Sequence, residues 1–139
     1  MYNFFITYAN IDGFKVQGSV FRVSKNVLDR WILSLLNRLV GDVTKDLGNY
    51  DTVSAIEKIN RFVDDLSTWY IRRSRDRVGP STDDAEYKEA FYRTCHETLV
   101  TLSKVLAPFT PFLAEEIYKN LTGEESVHLA EWQRVDTKL

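Results

Sequence analysis

From Ser24 to Leu47 the apolar residues fall at Val27, Leu28, Trp31, Ile32, Leu35, Leu36, Leu39, Val40, Val43 and Leu47. Spacings of three and four set them along one wide stripe of an amphipathic helix, with Trp31 in its middle as a structural core residue. Such a stripe must be buried against other elements, and three further segments offer matching ones. Ser24 is expected to cap the first helix and Gly48 to stop it. A second helix is expected from Asp51 as cap to about Arg77, with Ile56, Ile59, Phe62, Val63, Leu66 and Tyr70 as its stripe. Gly79-Pro80 ends it, because proline bars its predecessor from the helical region. Ser81 or Thr82 should cap a third helix, with Asp83, Asp84 and Glu86 at the positive dipole end. Its stripe is Phe91, Cys95, Leu99, Leu102, Val105 and Leu106, and Pro108 stops it. Thr110-Pro111 then supplies a cap and a first-turn proline for a shorter helix through Phe112, Leu113, Ile117 and Leu121, closed by Gly123. Pro108 and Pro111 are thus read as structural. Short links favour antiparallel neighbours, so the expected fold is all-α, an up-and-down helical bundle.

Both ends depart from that pattern. Residues 1–22 form a leading segment, rich in Phe4, Phe5, Ile6, Tyr8 and Phe14, whose apolar surface is expected to pack against something outside the chain. Residues 23–122 form the bundle. Residues 123–139 read as an extended tail laying Val127, Leu129 and Trp132 onto it. At 139 residues the chain is one domain, able to bury roughly two-thirds of its unfolded surface. One cysteine excludes a disulfide framework or a Cys-rich zinc site. No apolar run approaches the roughly 18 residues of a membrane helix, and no basic stretch precedes residues 4–8 as in a secretory signal. A cytoplasmic domain with no membrane partner is expected. The net charge of −2 excludes a generic nucleic-acid coat. Residues 1–80 carry twelve Lys and Arg against nine Asp and Glu, whereas residues 81–139 carry six against eleven. An RNA contact is therefore local and belongs to the first half.

Catalytic machinery is hard to find. His96 and His128 lie on different elements without metal-type spacing, and no Gly-rich phosphate loop is present. Glu115 and Glu116 are adjacent on a helix and point about 100° apart, poor geometry for paired acid–base work. Cys95 falls on an apolar stripe and reads as packing. No catalytic residue, metal or cofactor is assigned to this chain. The informative stretch is Leu66-Ser67-Thr68-Trp69-Tyr70-Ile71-Arg72-Arg73-Ser74-Arg75-Asp76-Arg77. One reading is structural: cations favour a helix C-terminus, Asp76 pairs with Arg72, and Arg73 meets a carboxylate of another helix. The other is RNA binding, with arginines on phosphates and an aromatic against a base or sugar. At 100° per residue Arg73 and Arg77 continue the stripe, while Arg72 and Arg75 lie off it. Arg73 is assigned to pairing, and Arg72, Arg75, Arg77 and Trp69 to RNA.

The same stretch resembles a hallmark of isoleucyl-tRNA synthetases. Leu28-Asp29-Arg30-Trp31-Ile32-Leu33-Ser34, Ala107-Pro108-Phe109-Thr110-Pro111-Phe112-Leu113-Ala114-Glu115-Glu116-Ile117-Tyr118 and Ser126-Val127-His128-Leu129 with Trp132 are similar to further segments of that family, in the same order. Tyr2-Asn3-Phe4-Phe5 and Tyr8-Ala9-Asn10 match the segment leaving its catalytic half. The resemblance implies the anticodon-binding bundle of a class I synthetase, with isoleucine tRNA and the catalytic domain of the same enzyme as partners. ATP would serve the parent enzyme, since the family's ATP signatures are absent here. This chain alone is expected to be inactive. Leu35, the Val78-Gly79-Pro80 run and Gln133 depart from the family's usual residues. The alternative is a bundle that braces the catalytic domain of this or a valyl or leucyl relative, with little RNA affinity of its own.

Overall fold

Two long helices organise the chain. The computed structural model describes residues 1–15 and 24–136, which comprise five α-helices, several shorter helical turns and no β-strand. Helix α1 spans Tyr2–Ile11, α2 Val27–Gly48, α3 Thr52–Asp64, α4 Ala85–Leu106 and α5 Pro111–Thr122. At 22 residues each, α2 and α4 run about 33 Å at 1.5 Å per residue. They pack on each other, α3 covers α2, α5 covers α4, and α1 lies on α4. The result is the all-α bundle expected from the stripes. The boundary expected at residues 22–23 lies outside the described residues.

The caps explain where the helices start. Asn26, not Ser24, caps α2: its Oδ1 accepts from the backbone N–H of Leu28 at 2.8 Å, and Ser24 Oγ accepts from Asn26 N instead. Asp51 caps α3 as expected, accepting from Ser54 N at 3.0 Å. Asp84 rather than Ser81 or Thr82 caps α4, through Tyr87 N at 3.0 Å. Thr110 precedes Pro111 at the start of α5, and Gly123 closes that helix in the left-handed region at φ 72°. Asn26, Asp51 and Asp84 each satisfy an N–H that the first helical turn leaves without an internal partner, whereas Thr110 makes no side-chain cap bond.

The buried line of α2 runs through Asp29, Ile32, Leu33, Leu36, Leu39, Val40, Val43 and Asp46. Trp31 is only partly buried at its edge and Val27 is exposed, so the core face is rotated from the stripe's apparent centre. On α4 the large residues Phe91, Tyr92, Leu99 and Leu102 alternate with buried Thr94, Thr98 and Thr101. Thr98 Oγ1 donates to the Thr94 carbonyl at 2.7 Å, which lets a hydroxyl sit in the core without an orphaned proton. Phe112 and Leu113 face solvent, Phe112 at 92% exposure, although both belong to the apolar stripe expected for α5.

The leading segment also differs from expectation. Residues 2–11 form α1, and Phe5 and Ala9 bury one face of it in the main core. Phe5 meets Tyr92 edge-on at 6.2 Å between centroids, and Phe14 stacks on Tyr92 at 5.2 Å. Its apolar surface therefore has its partner within the chain. The tail turns briefly helical at Val127–Leu129, and Val127 joins Ala114 and Tyr118 in a small second core while Leu129 is exposed. Trp132 Nε1 donates to Thr44 Oγ1 at 2.8 Å, and the Asn37 side chain brackets the Asp136 backbone with two hydrogen bonds of 2.7 Å. Among the described residues no helix is long and apolar enough to cross a membrane.

Candidate nucleic-acid interface

The continuation of α3 decides which arginines reach solvent. From Asp65 to Ile71 the helix widens to π geometry. Each i→i+5 turn takes in one residue more than an α turn, so the buried line is delayed. It passes from Leu66 through Tyr70 and Ile71 to Ser74, all buried, instead of through Arg73. The helix ends at Ser74, short of Arg77, and a 3-10 turn over Arg75–Arg77 reverses the chain. Arg72 and Arg73 at the helix end and Arg75 in the turn are left exposed. Arg73 Cζ lies 4.6 Å from the centroid of Trp69, itself 51% exposed. The two therefore present a joined planar surface, an exposed cation–π pair at helical i,i+4 spacing. Asp76 makes no ion pair with Arg72, because α-helical spacing does not persist across Ser74.

Arg77 turns inward and is 1% exposed. Its Nη1 and Nη2 donate to the two oxygens of Asp29 at 2.6 and 2.8 Å, and Tyr70 Oη donates to Asp29 Oδ1 at 2.8 Å. The guanidinium also lies 4.4 Å from the Tyr87 ring centroid. Burial opposes its charge, yet the Asp29 hydrogen bonds and charge prevail and hold its pKa above the ordinary value. Burial and the Asp29 carboxylate push the Tyr70 hydroxyl up, keeping it a donor. The core pairing foreseen for Arg73 thus belongs to Arg77, and the surface position foreseen for Arg77 is taken by Arg73. Asp29 lies outside the basic run that marks this site in the sequence. An acid three and four residues before Ile32 and Leu33, on the apolar line of α2, is the signal that a buried cation must face it.

A second carboxylate holds the far side of the turn. Asp12, just past α1, accepts from Gly79 N at 2.9 Å, from Lys88 Nζ at 2.9 Å and from Tyr92 Oη. Lys88 Nζ also donates to the Gly79 carbonyl at 2.6 Å. Burial alone would raise the Asp12 pKa, but the Tyr92, Gly79 and Lys88 hydrogen bonds together lower it. Gly79 has φ 63°, and a Cβ there would sit 2.9 Å from Tyr8 Cε1, so only glycine fits this bend without strain. Asp29 thus holds Tyr70 and Arg77 on either side of the exposed arginines, and Asp12 holds Gly79 just beyond them.

Glu115 and His96 have structural partners. Glu115 accepts from Val127 N at 2.8 Å and Ser126 Oγ at 3.0 Å, which fastens the tail to α5 and lowers its pKa. His96 Nε2 lies 3.0 Å from the Leu121 carbonyl, joining α4 to α5, and His128 is exposed. Cys95 is buried, and burial pushes its thiol up, away from the reactive thiolate. Pro108 lies exposed between α4 and α5, and Pro111 occupies the first turn of α5.

The profile of one protein family, described as the anticodon-binding domain of tRNA ligase, matches residues 29–139. The isoleucine–tRNA ligase of Dehalococcoides mccartyi is 50% identical over 145 aligned residues, taking in 100% of this chain and 14% of the relative. The isoleucine–tRNA ligase of Clostridium novyi is 44% identical, with 98% of this chain and 14% of the relative aligned. That of Deinococcus radiodurans is also 44% identical, over 100% of this chain and 13% of the relative. The chain spans 14% or less of the length of these curated relatives. The profile takes in α2 to α5 together with the arginine turn, and on that ground the chain belongs to the anticodon-binding domain family of tRNA ligases.

Proposed function

We propose that this bundle docks the anticodon stem and loop of an isoleucine tRNA. It thereby positions that tRNA for ATP-dependent aminoacylation by the catalytic domain of a longer, cytoplasmic isoleucine–tRNA ligase. The supporting observation is the arginine turn inside the family-matched region: three exposed guanidinium groups on a backbone anchored at both ends. Arg72 and Arg75 take phosphates, which sets affinity and its salt dependence. The Trp69–Arg73 plane takes an unpaired base of the loop by stacking. Arg77 acts from the interior, holding the turn through Asp29. Binding here contributes by orientation, since fixing the tRNA body removes translational and rotational freedom from the distant chemical step.

The deciding experiment titrates the chain with an RNA hairpin carrying an isoleucine anticodon, at several salt concentrations. Arg72→Ala/Arg75→Ala should weaken binding and flatten log K against log salt by about 0.7–0.9 per lost phosphate contact. Helicity should persist, because neither side chain is in the core. Unchanged affinity and slope would return the turn to a bracing role. Amino-acid-dependent pyrophosphate exchange by the chain alone should not rise above a blank free of host synthetase.

A further inference from the structure

The arginine turn rests on a helix that lies ahead of the family-matched residues 29–139. Helix α1 has two working faces. Phe5 and Ala9, four apart, are buried in the core. Phe4, Tyr8 and Asp12 recur at the same interval on the neighbouring face; Phe4 meets Arg75 of the turn, and Tyr8 and Asp12 meet Gly79 just after it. The Phe4 ring centroid lies 6.0 Å from Arg75 Cζ, at the outer reach of a cation–π contact. That ring is itself set by Tyr8 at 4.7 Å and by the edge of Phe91 at 6.5 Å. Tyr8 fills the space a Cβ on Gly79 would need, and Asp12 binds the Gly79 N–H while Lys88 binds its carbonyl. Side chain and backbone of the turn are therefore both set from α1.

Resting on the RNA reading above, we propose that α1 is the positioning element of the RNA-binding turn. Phe4 pre-places the Arg75 guanidinium, and Asp12 fixes, through Gly79, the backbone leaving the turn. A long arginine that is already aimed gives up less rotamer freedom when it meets a phosphate. Phe4 and Asp12 are positioning residues on this account, and neither touches RNA.

The test is a double-mutant cycle on the 139-residue chain, read by hairpin affinity with melting followed in parallel. Phe4→Leu and Asp12→Asn should each weaken binding about two- to tenfold, the cost of re-ordering one long side chain on binding. In the Arg72→Ala/Arg75→Ala background both effects should vanish, although any loss of melting temperature persists. Phe5→Leu, on the core face, should lower the melting temperature and leave affinity unchanged where the chain is folded. Wild-type affinity in Phe4→Leu and Asp12→Asn would overturn the proposal, as would an equal weakening with and without the arginines. If Arg72→Ala/Arg75→Ala itself binds like wild type, the RNA reading fails. If only that variant loses affinity, the RNA reading stands and the role of α1 falls.

Discussion

Arg73 and Arg77 are the same residue type, four positions apart, and have opposite fates. Arg77 is buried, with both Nη groups on Asp29, whereas Arg73 lies over a half-exposed tryptophan. Local charge does not separate them, since both belong to one basic run. The backbone does: a π-helical segment delays the buried line past Arg73, and a 3-10 turn then swings Arg77 inward. The largest effect expected from breaking this contrast follows Asp29→Ala. It leaves Arg77 charged and unpaired in the core and removes the acceptor of Tyr70, so urea melts should show a loss of about 3–5 kcal/mol. Replacing the pair with apolar residues of similar volume, Asp29→Leu/Arg77→Met, should recover much of that loss. A loss below about 1 kcal/mol for Asp29→Ala would fit a surface pair instead, and the buried anchor would be refuted.

Next in size is Gly79→Ala, which tests the other anchor of the turn. The substitution places an L side chain at φ 63° and a methyl 2.9 Å from a Tyr8 ring carbon. Backbone strain of this kind costs about 1–3 kcal/mol. Tyr8→Ala in the same chain should relieve the steric part only, so the double variant should melt above the sum of the two single losses. Additive losses would mean that Tyr8 does not press on this bend.

The helices were legible in the residues because spacing of three and four survives any reading frame. The stripe of Leu99, Leu102 and Val105 and the Thr110-Pro111 start both recur as packed elements. The arginine turn was legible as composition and not as geometry. A 100° rule carried through Asp65–Ile71 assigns Arg73 to the core, and nothing in Leu66-Ser67-Thr68-Trp69 announces a wider turn. The Ser67 and Thr68 hydroxyls bond the carbonyls of Val63 and Asp64, a local pairing that the residue types alone do not announce. Composition makes the leading segment look like surface for an absent partner, although Phe5 and Ala9 already stand at helical spacing. A long-range partner such as Tyr92, 87 positions after Phe5, cannot be found from either segment alone.

The Asp12 anchor should also show itself in the pH dependence of stability. Asp12 has its pKa lowered in the folded chain, so its contribution is fully present above the unfolded value of about 3.9 and is lost as pH falls through the folded one. Between pH 6 and 2 the wild type should therefore lose melting temperature more steeply than Asp12→Asn. Parallel curves would show that Asp12 contributes nothing through its charge and that Gly79 is held by shape.

The smallest expected effect is the one that tests the contrast most directly. Arg73→Ala removes an exposed cation–π contact, worth about 0.5–1 kcal/mol at such sites, and replaces it with a residue of slightly higher helix propensity. The net change in urea melts should stay below about 1 kcal/mol, several times smaller than for Arg77→Ala, which strands the Asp29 carboxylate in the core. Both variants remove one arginine from the same basic run, so any effect of net charge cancels in the comparison. What remains is the difference between a side chain lying on Trp69 and one enclosed by Asp29, Tyr87 and Phe91. Equal losses of 3 kcal/mol or more from both would mean that the helix continues in α geometry through Ser74 and carries Arg73 into the core, as the 100° rule requires.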